Sequence, residues 1–385
     1  MIYLDCAATT KPNHMVVDEI AGLMRSNWYN PSAISEQSRQ VKLQMEEARQ
    51  IIADYINCSS LEIIFTSGGS ESNNLGIKGY YNNPDNKCFG VFCSYGEHPS
   101  VFNTIESHIQ DGHYGRIIPI TSGGQVDLDE LEKELKRLTD VIICHPLVCL
   151  SFVNNELGSI NDIKVISKIV HQYGGVLLVD AVQAFTHLDI DVEELGIDMM
   201  SVSFHKFGGV RGCGFLYVKE DIELYPLING GHQEYNLRAG TEASYLITAM
   251  GHRVKSIQNQ KLRQSNFDYF NKLIINKIKG IEGITINGNN TCSHIISACI
   301  DGVKASDLVT LLGTEGIIIS AGSACSSGEN VPSRILVSSG LTDEEATSTI
   351  RISFDENIYE QDIEIFIESL TRNIQILREL QMSEE

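Results

Sequence analysis

Lys206 lies in Met200-Ser201-Val202-Ser203-Phe204-His205-Lys206-Phe207-Gly208-Gly209, and Asp180 closes the apolar run Val176-Leu177-Leu178-Val179. A lysine amine can condense with an aldehyde. A carboxylate facing a pyridine nitrogen keeps that nitrogen protonated, so the ring can take up electrons. Together the two residues suit pyridoxal 5'-phosphate (PLP). They equally suit a strand-end cap and a solvated lysine, so other segments must decide.

Four segments bear on the choice. Thr66-Ser67-Gly68-Gly69-Ser70-Glu71-Ser72-Asn73-Asn74 follows an apolar strand and opens a helix. Glycine lets backbone approach an anion, and free amides at a helix start point toward it. The segment is not Walker A, because no Gly-Lys-Ser/Thr follows. Asp180-Ala181-Val182-Gln183 places Gln183 within reach of a ring oxygen beside the acid. In Ser203-x-His205, strand alternation turns both side chains to one face, where both can donate to a phosphate. Ser320-Ala321-Gly322-Ser323-Ala324-Cys325-Ser326-Ser327-Gly328 surrounds a thiol with small residues, which gives it access and little apolar packing to supply.

The elements that must position these residues alternate between helical and strand patterns. Val41, Met45, Ala48, Ile52 and Tyr55 recur at helical spacing, and Ile63–Thr66 is a buried strand. Short apolar runs follow at 87–94, 141–149, 176–180, 198–204 and 214–218, several of them separated by helices. The pattern predicts an α/β domain with a largely parallel sheet. Residues 259–280 form a long helix that joins a second unit. In that unit 284–286, 294–300 and 316–319 are strands, 305–312 and 333–339 are helical, and Thr342-x-x-Glu345 is a capping box. The last helix carries Ile363, Phe366, Ile367, Leu370, Ile374 and Leu377 on one stripe, which suits a core. The expected division is a large domain at 15–258 and a smaller α+β domain at 259–385, with residues 1–14 packing near the smaller one.

Composition narrows the class. The chain has 385 residues, 42% hydrophobic and 21% charged, with a formal charge of -21. That charge opposes binding to nucleic acid or to an anionic membrane. No apolar run approaches the roughly 18 residues of a membrane span. The start has no basic segment before an apolar one. None of the ten cysteines forms Cys-x-x-Cys, and no Cys/His cluster has zinc spacing, so no metal site is expected. These features predict a cytoplasmic protein.

In order along the chain, these motifs resemble a cysteine desulfurase of the class V aminotransferase group, of the iron–sulfur cluster assembly type. The likeness also takes in Tyr3–Thr10, Asn30-Pro31-Ser32-Ala33, Gly96-Glu97-His98, Asn154–Gly158, Gly230–Glu234, Arg238–Glu242 and Arg351-Ile352-Ser353. It implies PLP-dependent transferase fold type I and a homodimer. It implies that Lys206 holds PLP and shuttles protons, that Asp180 pairs with the ring nitrogen, and that His98 stacks on the ring and assists proton transfer. Gln183 would reach the ring hydroxyl, and Gly69, Ser70, Ser203 and His205 the phosphate. Thr241 would come from the other subunit. Asn155, beside the cofactor, and Arg351 would bind the substrate carboxylate. Cys325 would be the nucleophile that takes sulfur from L-cysteine as a persulfide and passes it to an acceptor protein, leaving alanine. Selenocysteine lyase is the neighbouring enzyme alternative, and a cysteine-rich redox or metal-binding adaptor the non-enzyme one. The chain departs from the group at Gly69, where alanine is frequent.

Overall fold

The structure is a computed structural model that describes residues 1–87, 90–257, 260–322 and 331–384; the side chains of 260–262 and 382–384 are not described. The strands are β1 (Ile2–Tyr3), β2 (Ile63–Thr66), β3 (Val91–Ser94), β4 (Gly115–Ile118), β5 (Leu147–Ser151), β6 (Val176–Asp180), β7 (Met199–Ser203), β8 (Gly214–Val218), β9 (Ile284–Ile286), β10 (Ile295–Ile300), β11 (Ile317–Ile318), β12 (Ser320–Ala321) and β13 (Thr349–Ser353).

Seven of them form one sheet in the order β2-β8-β7-β6-β5-β3-β4. Pairing is parallel from β7 through β4, while β8 runs antiparallel to both its neighbours. The carboxyl ends of β2, β3, β5, β6 and β7 therefore share one edge, where ligands bind in open α/β sheets. Strands β5 to β8 are buried along their whole length, which is why they read as continuous apolar runs. Helices such as Glu36–Ile56 and Gly69–Tyr81 pack beside the sheet, the first with Val41, Met45, Ala48 and Ile52 buried.

A four-stranded antiparallel sheet, β12-β13-β10-β9, has its own core. The helix Glu360–Glu384 buries Ile363, Phe366, Leu370 and Ile374 there, so its stripe is core. Burial of each such side chain stabilises by about 1.5–3 kcal/mol. The helix Gln260–Ile278 leads into this region. The predicted capping box is present, with Thr342 and Glu345 exchanging backbone donors.

Two expectations change, and a third gains detail. The 141–149 run becomes a strand only from Leu147, and Val141 and Ile143 before it are exposed. Strand β7 ends at Ser203, and Phe204–Lys206 is a single 3-10 turn. His205 and Lys206 thus reach the sheet edge through a turn, not through strand alternation. The N-terminal segment spans both cores: Leu4 joins the small-sheet core and Ala7 the large one.

Candidate active site

A cavity of about 370 Å³ opens at the carboxyl edge of the large sheet, where β12 and β13 approach it. Its lining brings together Gly69, Ser70, His98, Asn155, Asp180, Gln183, Ser203, His205, Lys206 and Arg351. These come from segments spread over most of the chain. Of the expected residues, Thr241 is exposed and lies outside this cavity, and Cys325 lies outside the described residues.

Asp180 ends β6 in the middle of the sheet. Its Oδ2 accepts from Asn73 Nδ2 at 2.8 Å and its Oδ1 from the Val182 amide at 3.0 Å. Asn73 also donates to Ser100 Oγ at 2.9 Å, and Ser100 Oγ lies 2.8 Å from His98 Nδ1. One polar chain therefore runs from the acid to the imidazole. The Ser100 amide donates to His98 Nδ1 at 3.1 Å, so that nitrogen accepts and the ring is held as the cap of the helix Pro99–Gln110. Burial lowers the affinity of His98 for a proton, and Lys206 and Arg334 add to this against the opposing pull of Asp180. A neutral imidazole results, with its proton on Nε2.

Lys206 Nζ donates to the carbonyls of Ala7 at 2.5 Å and Ala8 at 2.9 Å. Gln183 Nε2 donates to the same Ala7 carbonyl at 2.8 Å. The N-terminal turn thus serves as a rest for both residues. It is fixed by the Thr10 amide donating to the His205 carbonyl at 2.9 Å. His205 Nδ1 lies 3.0 Å from Thr9 Oγ1, and burial, then Lys206 and Arg211, bring its pKa down to about 4.

On the opposite wall Arg351 donates from Nη1 to the Asn155 carbonyl and from Nη2 to Asp5 Oδ1, both at 2.8 Å. Its Nε is buried and has no partner among the described residues. Glu97, fully buried, has its pKa raised to about 8 by burial and by Asp180. It is thus a neutral acid at pH 7 and does not compete with Asp180 for a cation.

The lining fits PLP on three observations. Two residues of the lining carry buried polar atoms without a partner among the described residues, Arg351 Nε and Asn73 Oδ1. The cup is tight, since a Cβ on Gly214 would stand 2.4 Å from the Val202 carbonyl and 2.7 Å from Gly68 Cα. A Cβ on Gly69 would stand 2.7 Å from Val182 Cγ2. The departure at Gly69 has this local cause, because the Val182 methyl fills the space an alanine would need.

Asn73, Ser100 and Asp5 had no role assigned from sequence. Asn73 was legible, because it stands three and four positions after Ser70 and Gly69 and shares their helix face. Ser100 and Asp5 carried no such signal. Among the described residues, no group of three or more His, Cys, Asp or Glu side chains is placed to hold a metal ion. None of the described helices is long and apolar enough to cross a membrane.

Residues 2–366 match the Aminotransferase class-V family. A cysteine desulfurase IscS from Dictyoglomus turgidum is 34% identical over 385 residues, covering 98% of this chain and 95% of the relative. The solved structure of a NifS-like protein from Rickettsia africae is 31% identical with a TM-score of 0.86, covering 97% of this chain and 99% of that one. A structure of SspA in complex with cysteine is 31% identical with a TM-score of 0.79, over 92% and 99%.

Proposed function

Because the chain belongs to the class V aminotransferase family, and within it to the cysteine desulfurases, we propose that it converts L-cysteine to L-alanine and transfers the sulfur to Cys325. The observation that carries this is the meeting, in one cavity, of Lys206, an Asp180 held by two donors, a neutral His98 and an Arg351 with an unused donor.

PLP is the cofactor these residues suit. Gly69, Ser70, Ser203 and His205 would hold its phosphate, Asp180 its ring nitrogen, Gln183 its hydroxyl, His98 and Asn155 its ring, and Lys206 its aldehyde carbon. When bound, it supplies an electron sink that acidifies the substrate's α-proton.

Arg351 receives the substrate carboxylate, with Asn155 beside it, because a guanidinium fork matches a carboxylate. Lys206 Nζ carries the α-proton away and returns one when alanine forms. His98, neutral with its proton on Nε2, stacks on the cofactor ring and assists proton transfer as a donor. The Cys325 thiolate attacks the substrate sulfur. A sulfur–sulfur bond forms, the carbon–sulfur bond breaks, and its electron pair stays on the carbon that becomes the methyl of alanine. The outer sulfur of the Cys325 persulfide then passes to an acceptor protein, such as an iron–sulfur cluster scaffold or a tRNA-thiolation protein. Thr241, exposed on its loop, serves the phosphate site of a second copy in a homodimer. The division between the large and small domains expected at 258/259 lies outside the described residues, and the protein works in the cytoplasm.

The test is direct. The purified protein should bind PLP with visible absorbance and, given L-cysteine and a reductant, release alanine and sulfide in equal amounts. Cys325→Ser should keep the absorbance and lose sulfide release. Full sulfide release by Cys325→Ser would defeat the persulfide route.

A further inference from the structure

An acid directly follows Gly69 and Ser70 of the anion cup. Glu71 lies in the first turn of the helix Gly69–Tyr81, and its Oε2 accepts the Ser67 amide at 2.8 Å. That bond shapes the turn, and a carboxylate at a helix start is favourable on its own. Beside a phosphate, however, the same charge repels the ligand the cup is built to hold.

Arg238 offsets it. Its Nε donates to Glu71 Oε1 at 2.9 Å and its Nη2 to Oε2 at 3.4 Å. The pair is mostly buried, with side chains 24% and 12% exposed. Burial acts to raise the Glu71 pKa, but the bonds from Arg238 and Ser67 outweigh it and lower the value, so the carboxylate stays charged and paired.

Arg238 is delivered by an unusual backbone. Glu234, Tyr235 and Asn236 have consecutive φ angles of 43, 56 and 67°. Left-handed conformation costs a non-glycine residue roughly 1–3 kcal/mol and persists only where surroundings impose it. Here Arg49 imposes it, donating from Nη1 and Nη2 to the two Glu234 oxygens at 2.8 and 2.9 Å. The Phe65 amide, on β2 just before the cup, donates to Glu234 at 2.7 Å. The Leu237 amide then bonds to the Glu234 carbonyl at 2.9 Å, and Arg238 follows.

We propose that Arg238 is a positioning residue for the cofactor's phosphate: held by the Arg49–Glu234 turn, it cancels the Glu71 charge so that the cup accepts a dianion. The inference rests on the PLP reading of the cavity.

The experiment titrates PLP and pyridoxal, which lacks the phosphate, into protein stripped of cofactor. Arg238→Gln should weaken PLP binding by about tenfold, equivalent to about 1.4 kcal/mol, with pyridoxal binding within about twofold of the parent. Inorganic phosphate should compete with PLP less well in this variant. Adding Glu71→Gln to Arg238→Gln should restore PLP binding, because the uncompensated charge is gone while an amide oxygen still accepts from Ser67. Glu71→Gln alone should bind PLP at least as tightly as the parent. Equal losses for PLP and pyridoxal, or no recovery in the double variant, would overturn the proposal, as would a tenfold loss in Glu71→Gln alone. A parent protein that takes up no PLP would overturn the reading of the cavity itself.

Discussion

The Lys206 cavity and the Arg49–Glu234 contact both place charge inside the large-sheet region, yet they are completed differently. At the contact, Arg49 Nε reaches Glu46 at 3.1 Å, its Nη1 reaches the Ile63 carbonyl at 2.6 Å, and both terminal nitrogens reach Glu234. The rings of Phe65 and Tyr235 cover the guanidinium at 4.4 and 5.3 Å. Four of the five N–H groups are engaged. Of the residues lining the cavity, Arg351 and Asn73 carry atoms, Nε and Oδ1, with no partner among the described residues. A buried polar atom without a partner costs about 1–3 kcal/mol. Open volume does not separate the two, since a cavity of about 440 Å³ adjoins Arg49 and Glu234 as well; what differs is how fully each arginine is engaged.

Substitution should separate the two regions. Lys206→Ala should lower alanine release by at least about 10³-fold, with little change in thermal midpoint, because its Nζ bonds two carbonyls at the cavity wall. Turnover assays and thermal melts read both quantities. A large loss of stability with turnover retained would exchange the roles of the two regions.

Arg49→Ala is the converse case. It leaves Glu234 buried and unpaired, which costs about 3–5 kcal/mol. Urea unfolding should show that loss. A stability within about 1 kcal/mol of the parent would mean the contact behaves like a surface pair and holds nothing.

Arg351→Gln tests the orphaned donor. Its partners Asp5 and the Asn155 carbonyl lie at the cavity wall, so the main effect should fall on substrate. KM for L-cysteine should rise about 30-fold, or about 2 kcal/mol, with kcat changed much less. A parent-like KM would remove Arg351 from the carboxylate.

Much of this was legible in the sequence, and the exceptions have physical causes. Fully buried parallel strands appear as unbroken apolar runs, so β6, β7 and β8 were readable. Strand β4 was not, because Arg116 is exposed and the strand lies at the sheet edge. Lys206, Asp180 and Gln183 stand out by type beside strand ends. The contacts between Arg49 and Glu234, and between Arg238 and Glu71, join residues 185 and 167 positions apart. No local pattern encodes such pairs. The same is true of Asp5 with Arg351, which the bridge between Asp5 and Ser353 at the end of β13 brings together.

A third buried cluster puts the comparison under most strain. The rings of His187 and His294 stack with centroids 3.8 Å apart and planes 13° from parallel, and Phe267 packs against both. His187 bonds to the backbone of Lys206 and His294 to that of Gln183. One nitrogen of each ring, His187 Nδ1 and His294 Nε2, has no partner among the described residues. Orphaned atoms are present, but the crevice touching His187 has a volume of only about 20 Å³, room for a single water. Orphaned atoms without volume therefore mark a pH liability, not a ligand site. Burial and then Arg263 pull the His294 pKa down to about 3, and burial, His294, Arg263 and Arg253 hold His187 low as well. A histidine whose folded pKa is depressed contributes stability that is complete above its unfolded value of about 6.5 and is lost as pH falls toward the folded value. Between pH 7 and 5.5 the unfolded chain binds a proton at this position and the folded one does not, which costs about 1 kcal/mol for His294. His294→Phe should be less stable than the parent at pH 7, through the lost bond to Gln183, by about 1 kcal/mol. That gap should close as pH falls to 5.5 in urea unfolding series. Parallel curves for the two proteins would mean that His294 is already charged or solvated when folded, and the distinction between orphaned atoms with volume and without it would fail.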